Sequence, residues 1–381
     1  MPNEKLKEHL NNIVWWIPFR KLRDFIRELV YTIYEIKEQN NALLYNIDNC
    51  KKELLQHIRE FKLIHKDFYY NSIYMKITNH WYNNHNNFEM DRFFLLLTNI
   101  FSKYNKVLLL SYSECNCDIE VFSVFGPKSK IVESKAKIKI FWTGEPNTLY
   151  TEYKDNCLGY ANLSLGSNRI EHKNYIRFPL WIFSNFDYIN LNKDNIFQKV
   201  IEINKSKYTK TKFASLIASW GGEDNLRGTI YNHISKIDKI YCPSKFLHND
   251  DSLKNEFNDN KLEYLKQFKF NICPENVIED GYITEKLFDA FKTGCIPIWN
   301  GDINIEPNVI NKNSVLYWEK DSDNKELIKE IERLHKDETY YNNFISQPRL
   351  IVDNATDYIY NQIKQLHDRL EEFIQDLIQK R

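Results

Sequence analysis

The strongest restriction on the fold is an alternation, in both halves of the chain, between short apolar runs and stretches of helical period. KVLLLSYSE (106–114) and KIKIFWTGE (137–145) read as strands, and IRFPLWIF (176–183) as an extended segment leading into a helix. FASLIAS (213–219), KIYCPS (239–244) and FKFNICPEN (268–276) repeat the pattern, with helical segments between them. Apolar runs of this length are buried strands, and strands separated by helices build parallel sheets. At 381 residues the chain exceeds the usual size of one domain. The expected class is therefore α/β with two domains, over 76–205 and 206–345, preceded by a helical region (1–75) and closed by a C-terminal helix (346–381). The polar stretch 185–208 reads as a bridge between the domains.

Helices are legible at both ends. From Leu22 to Phe61 a heptad places Ile26, Ile33, Asn40, Ile47, Leu54 and Phe61 at a, and Leu22, Leu29, Ile36 and Leu43 at d. Ile at a, Leu at d and a single Asn at a favour a parallel two-stranded coiled coil, hence a homo-oligomer. Apolar Phe25, Val30, Leu44 and Ile58 at the flanking positions widen the stripe, as in a helix packed on its own domain. Upstream, Trp15, Trp16 and Phe19 stand beside Arg20, Lys21, Arg23 and Arg27, which suits either a peripheral membrane contact or a cap on the globular region. Residues 324–336 form an amphipathic helix. Residues 357–380 form another, with Ile363, Leu366, Leu370, Phe373 and Leu377 on one face, which either folds back across both domains or extends an oligomer contact.

Charge narrows the partners. Lysine plus arginine and aspartate plus glutamate number 52 each, so there is no overall nucleic-acid footprint and any basic patch is local. The seven cysteines, Cys115 and Cys117 among them, show no zinc-site spacing and read as reduced core thiols of a cytoplasmic protein. Nothing approaches the roughly 18 apolar residues of a membrane span, and the charged N-terminus lacks a signal-peptide core. A cytoplasmic location, with a peripheral seat on the inner membrane face as the variant, is the expectation.

The residues able to do chemistry gather at strand ends, where ligands of parallel sheets collect. In ENVIEDGYITEKLFDAFKTG a helix is expected to begin near Tyr282 or Ile283 and to end at Gly294, its free amides and positive end facing whatever lies over Asn276 to Tyr282. Lys286 in the first turn gains nothing from the helix dipole, whereas a phosphate explains it. Glu285 can accept hydrogen bonds from a diol such as a ribose. The alternative for both is a solvated helix face. WGGEDNLRG adds a Gly-Gly turn after a strand, then Arg227, whose fork suits diphosphate oxygens. In FWTGEPN, Glu145 follows a strand and a glycine, placed as a general base in a cleft or as an exposed loop residue.

FNICPENVIEDGYITEKLFDAFKTGCIPIWNGD, together with FWTGEPN, IRFPLW and FASLIASWGGEDNLR in that order along the chain, resembles the inverting α-1,3/α-1,4-fucosyltransferases of the type found in Helicobacter. The resemblance covers roughly residues 105–345. It implies a GT-B fold, two Rossmann-like domains facing across a cleft, with GDP-fucose as donor and a GlcNAc-containing oligosaccharide as acceptor. It further implies Glu145 as the base, Arg227 and Lys286 on the donor phosphates, Glu285 on the ribose, Tyr282 on the nucleotide, and Glu275 with Asn276 by the fucose and diphosphate. No metal ligand or cofactor is expected, the cations standing in for a metal ion. Two positions depart from the family: Pro274 stands where an aromatic is frequent, which puts packing beside the sugar pocket in doubt, and Trp299 stands where Tyr is common. The competing readings are another GT-B nucleotide-sugar transferase and a non-catalytic glycan- or nucleotide-binding scaffold assembled through the heptad. Acceptor residues are not legible, although Asn79 to Asn87, with His80, Trp81, Tyr82 and His85, either line that site or form a simple loop.

Overall fold

A computed structural model describes residues 24, 26–30, 32, 71–80, 88–111 and 117–379. The chain divides into two compact units, residues 1–74 with 102–111, and residues 75–101 with 112–381. In the first, the described residues from 24 to 32 are helical, and the remainder include the start of strand β1 (Ser72–Thr78) and strand β2 (Val107–Leu110). Most of the heptad of residues 22–61, the Trp-Arg segment before it and residues 81–87 lie outside the described residues.

The larger unit holds two parallel sheets. In one, β1 pairs with β3 (Ile119–Phe122), then β4 (Ile138–Trp142), β5 (Leu163–Gly166) and β6 (Tyr175–Arg177) follow in order. The other runs β11 (Leu316–Tyr317), β10 (Ile296–Trp299), β9 (Phe268–Ile272), β7 (Lys212–Ser215), β8 (Ile240–Tyr241). Every residue of β10 is buried, as a strand covered on both faces requires. Strand order reverses between β7 and β9, which makes their carboxyl ends the crevice where such sheets bind ligands.

The described helices of this unit are α1 (Phe88–Ser102), α2 (Ser129–Glu133), α3 (Leu180–Asn185), α4 (Lys193–Lys205), α5 (Leu226–Ile234), α6 (Ser252–Asn255), α7 (Lys261–Leu265), α8 (Glu285–Lys292), α9 (Lys325–Lys336), α10 (Glu338–Ser346) and α11 (Val352–Gln379). The polar stretch 185–208, which runs in sequence between the two sheets, contains helix α4. Asn192 caps that helix by accepting from the Asn195 amide, and only Ile196, Val200 and Ile203 turn inward. Three apolar residues on one face suffice once a partner covers them, and α11 supplies the cover. The carboxyl end of α4 is closed from a distance, because buried Arg349 donates to the carbonyls of Ile203, Asn204 and Ser206 at 2.8–3.2 Å. The last carbonyls of a helix lack full partners within it, and Arg349 adds donors there.

The closing helix folds back over the first half of the chain: Arg369 donates to the Lys173 carbonyl at 2.8 Å and His367 lies 2.8 Å from the Tyr188 carbonyl. Its buried face runs through Ile359, Ile363, Leu366, Leu370, Ile374 and Leu377. Ile374 takes the inward place expected of Phe373, whose ring lies half-buried under the Arg369 guanidinium. The five described cysteines, Cys117, Cys157, Cys242, Cys273 and Cys295, are free and buried. Among the described residues no helix is long and apolar enough to cross a membrane. Ile363→Ala, which empties a fully buried position, is expected to cost about 2–5 kcal/mol in urea unfolding. Phe373→Ala should cost clearly less.

Candidate active site

The site grows from the two strand ends at the reversal point. After β7 the chain turns through Gly221 and Gly222, the latter at φ +81°, a left-handed conformation that glycine enters without a side-chain clash. It then delivers Arg227 from α5, 4% exposed. The guanidinium donates to the Trp220 carbonyl at 3.1 Å, to the Pro274 carbonyl at 3.2 Å and to Asn276 Oδ1 at 3.0 Å. Arg227 thus joins the loop after β7 to the loop after β9. Burial presses its pKa down, opposed by Glu275, and the group stays cationic.

The helix expected from Tyr282 or Ile283 begins at Glu285 instead. Thr284 is its cap, with the side-chain oxygen accepting from the Lys286 amide at 3.3 Å. Thr284 is itself held by Glu275, whose side chain is fully buried. Its Oε1 accepts from the Thr284 amide at 2.9 Å and from Trp299 Nε1 at 3.4 Å. Its Oε2 accepts from Thr284 Oγ1 at 2.8 Å and from Lys286 Nζ at 3.2 Å. With its oxygens spent on internal donors, Glu275 orients the site rather than facing a ligand. The indole of Trp299, where the resembling family commonly has Tyr, is one of those donors. Burial works against charge on Lys286, but Glu275 and Glu285 outweigh it and hold its pKa above the ordinary lysine value. Glu285 is half-buried at the first helical position. Tyr282, 2% exposed, sits among carboxylates, and burial followed by Glu275 and Glu145 pushes its phenol well above the usual range.

Glu145 leaves the carboxyl end of β4 through a turn in which Thr143 Oγ1 accepts from the Glu145 amide at 3.0 Å and donates to its carbonyl at 3.1 Å. Its carboxylate is half-buried and has no hydrogen bond or ion pair among the described residues. Burial drives its pKa up to about 7; Lys286 opposes the shift, and Glu285 and Glu275 add to it. All seven residues singled out from the sequence therefore fall in one neighbourhood, with the first-sheet carboxylate within electrostatic reach of the second-sheet lysine.

Residues that the sequence reading passed over hold the two sheets in this relation. Glu279 accepts from the Asn147 amide (3.1 Å), the Thr148 amide (2.9 Å) and hydroxyl (2.8 Å), and the Asn168 side chain (2.8 Å), pinning the Glu145 loop to the turn before α8. Gly281 adopts φ +73°, and a Cβ there would lie 2.2 Å from the Ser167 carbonyl, so only glycine allows the approach. Its carbonyl accepts from Arg177 at 3.1 Å, and Arg177 is also paired with buried Glu306 and bonded to Tyr358 of α11. Beneath, Trp181 of α3 stacks on Phe288 of α8 with centroids 4.8 Å apart.

A pocket opens at the end of β9, lined by Arg227, Lys286, Lys261, Asn271, Ile217 and the 272–274 backbone stretch. Pro274 lines it, where an aromatic is frequent in the resembling family. Lys261 also escaped the sequence reading, since a lysine starting a short helix looks like a solvated one. His80, a candidate for the acceptor side, is buried and stacked on Trp142 at 5.7 Å, with burial holding its pKa at about 4. Among the described residues no group of three or more His, Cys, Asp or Glu is placed to hold a metal ion.

Comparison with known proteins agrees with this geometry. The chain is 24% identical over 268 residues, 65% of its length, to the alpha-(1,3)-fucosyltransferase FucT of Helicobacter pylori, of which it spans 54%. It is 30% identical over 125 residues, 31% of its length and 27% of the relative's, to GDP-fucose protein O-fucosyltransferase 3 of Xenopus laevis. It thus spans about half, or less, of the curated relatives it matches. An alpha1,3-fucosyltransferase crystal structure superposes with a TM-score of 0.53 at 19% identity, covering 78% of this chain and 90% of that one. The same kind of enzyme with GDP-fucose gives 0.51 at 20%, with the same coverage. This likeness shows the fold, the GT-B arrangement of two α/β halves. A family model, glycosyltransferase family 10 (fucosyltransferase) C-term, matches residues 207–365. That match takes in the part of the chain that carries Arg227, Lys261 and the whole 275–286 turn, which is thus similar to the fucosyltransferases of glycosyltransferase family 10.

Proposed function

We propose that this chain is an inverting fucosyltransferase, moving L-fucose from GDP-β-L-fucose to a hydroxyl of GlcNAc in an N-acetyllactosamine-type or related glycan, with α-1,3 linkage favoured over α-1,4. The observation that carries the reading is Glu145: a half-buried carboxylate without an internal partner, its pKa near 7, beside the pocket of Arg227 and Lys286. The acceptor hydroxyl passes its proton to Glu145 as its oxygen bonds the anomeric carbon of fucose. The bond from that carbon to the diphosphate oxygen breaks, and its electron pair leaves with GDP. One displacement from the opposite face converts the β-linked donor into an α-linked product. Negative charge grows on the departing diphosphate, where Arg227, Lys286 and the amides at the start of α8 stabilise it. These cations take the place of a divalent ion in the proposal, so turnover should persist in EDTA. The O-fucosyltransferase relatives favour a second acceptor class, a protein hydroxyl.

The deciding experiment incubates the protein with GDP-fucose and type 1 and type 2 disaccharides, alongside a protein acceptor, and reads the linkage by NMR. Stronger competition by UDP than by GDP, or complete loss of turnover in EDTA with restoration by Mn²⁺, overturns the donor or metal part of the reading. Glu145→Ala is expected to keep GDP binding and to lose at least about 10²-fold in kcat. For the parent protein, kcat/KM should fall about tenfold per pH unit below about 7, where Glu145 takes up its proton.

The same carboxylate costs stability. Its folded pKa lies above the ordinary value, so the native state binds more protons between about pH 4.3 and 7, and stability falls as pH rises through that window. Glu145→Gln should therefore melt higher than the parent at pH 8, by on the order of 1–3 kcal/mol, and lose that advantage near pH 4. An unchanged difference across this range contradicts the assignment.

A further inference from the structure

We propose that Lys261 is a third cation of the diphosphate pocket and, with the side chain of Asn271, holds the terminal phosphate of the bound nucleoside diphosphate. The inference rests on the donor reading above and adds residues that reading does not use. Lys261 opens α7, a helix that precedes β9, and its side chain lines the same pocket as Arg227 and Lys286. Three cations from three different helices, α5, α7 and α8, thus converge at one strand end, although they are far apart in sequence.

Their carboxylate partners are shared. Lys261 Nζ lies 2.9 Å from Asp289 Oδ2, but Asp289 Oδ1 lies 2.9 Å from Lys292 Nζ as well, so one carboxylate serves two lysines. Glu275 likewise pairs with Lys286 while offsetting the charge of Arg227. Lys261, Lys292, Lys286 and Arg227 share two buried carboxylates, Asp289 and Glu275, and the half-buried Glu285 and Glu145 are the further nearby acids. The three cations that line the pocket thus have no carboxylate to themselves there, and their N–H groups suit an incoming dianion.

Asn271 supplies the independent observation. It stands in β9, is 3% exposed, lines the pocket, and its side-chain amide has no hydrogen-bond partner among the described residues. An amide that borders a pocket and is bonded to nothing within the described chain is free to bond a ligand there. An amide N–H beside an ammonium and a guanidinium makes a donor set for phosphate oxygens. Placed there, Lys261 neutralises charge on the phosphate that carries the sugar, and so on the leaving group.

The test measures GDP, GMP and guanosine affinity by calorimetry on the full chain, with thermal melting as the check on folding. Lys261→Met is expected to weaken GDP at least about 10-fold while changing GMP and guanosine less than about twofold, and Lys261→Arg should restore most of the loss. Should the Met variant fail to fold, Lys261→Gln is read in the same way. Unchanged GDP affinity overturns the proposal. So does an equal loss for all three ligands, which would make Lys261 a support for Asp289 and α8. A parent protein that binds no GDP overturns the donor reading beneath it, a result distinct from GDP binding that ignores Lys261.

Discussion

One buried carboxylate organises this site. Glu275 accepts from a backbone amide, a threonine hydroxyl, an indole and an ammonium group, and each of those bonds positions something different. The amide and hydroxyl of Thr284 set where α8 begins, the indole ties the turn to β10, and the ammonium aims Lys286. A buried carboxylate is tolerable only when such donors surround it. Removing it would leave Lys286 without its ion-pair partner and the capping Thr284 without its anchor, in a region where the pocket needs both fixed.

Around this centre, stability and chemistry pull in opposite directions. The framework is overdetermined: Glu279 binds the Glu145 loop through four donors, Arg177 ties Gly281 to Glu306 and to the closing helix, and Trp181 stacks on Phe288. Within the framework a few groups keep no partner of their own among the described residues, namely the Glu145 carboxylate and the Asn271 side chain, and the pocket cations share their carboxylates. Local violations of good packing chemistry, supported by a shell that satisfies everything else, are what a preorganised site requires. The raised pKa of Glu145 and its want of a partner are two aspects of one burial.

Much of the fold was readable from pattern. Apolar runs such as FKFNI and KIKIFW became buried strands, Gly294 ended α8 at φ +65° as expected, and the paired motifs ahead of α8 marked the pocket. Errors arose where a partner from far along the chain supplied the stabilisation. The helical state of α4 is not legible locally, because three inward residues are too few until α11 covers them. The start of α8 was placed early because its cap is reinforced by a carboxylate nine residues back. Periodicity puts Phe373 inside, whereas Ile374 is the buried residue and the Phe373 ring packs under Arg369.

Local order along the chain is thus sufficient to specify which segments are strands, which are helices, and which residue types stand at the strand ends, because burial on a pleat or on a helix face imposes its own period. It names Arg227, Lys286 and Glu145 as chemically able. It does not say that Lys261 joins them, that Asn271 lacks a partner, or that Glu145 lies dry enough to titrate near neutrality. Those properties depend on distances and on the exclusion of water between segments from about 25 to more than a hundred residues apart, and both arise only when the sheets and their helices have packed.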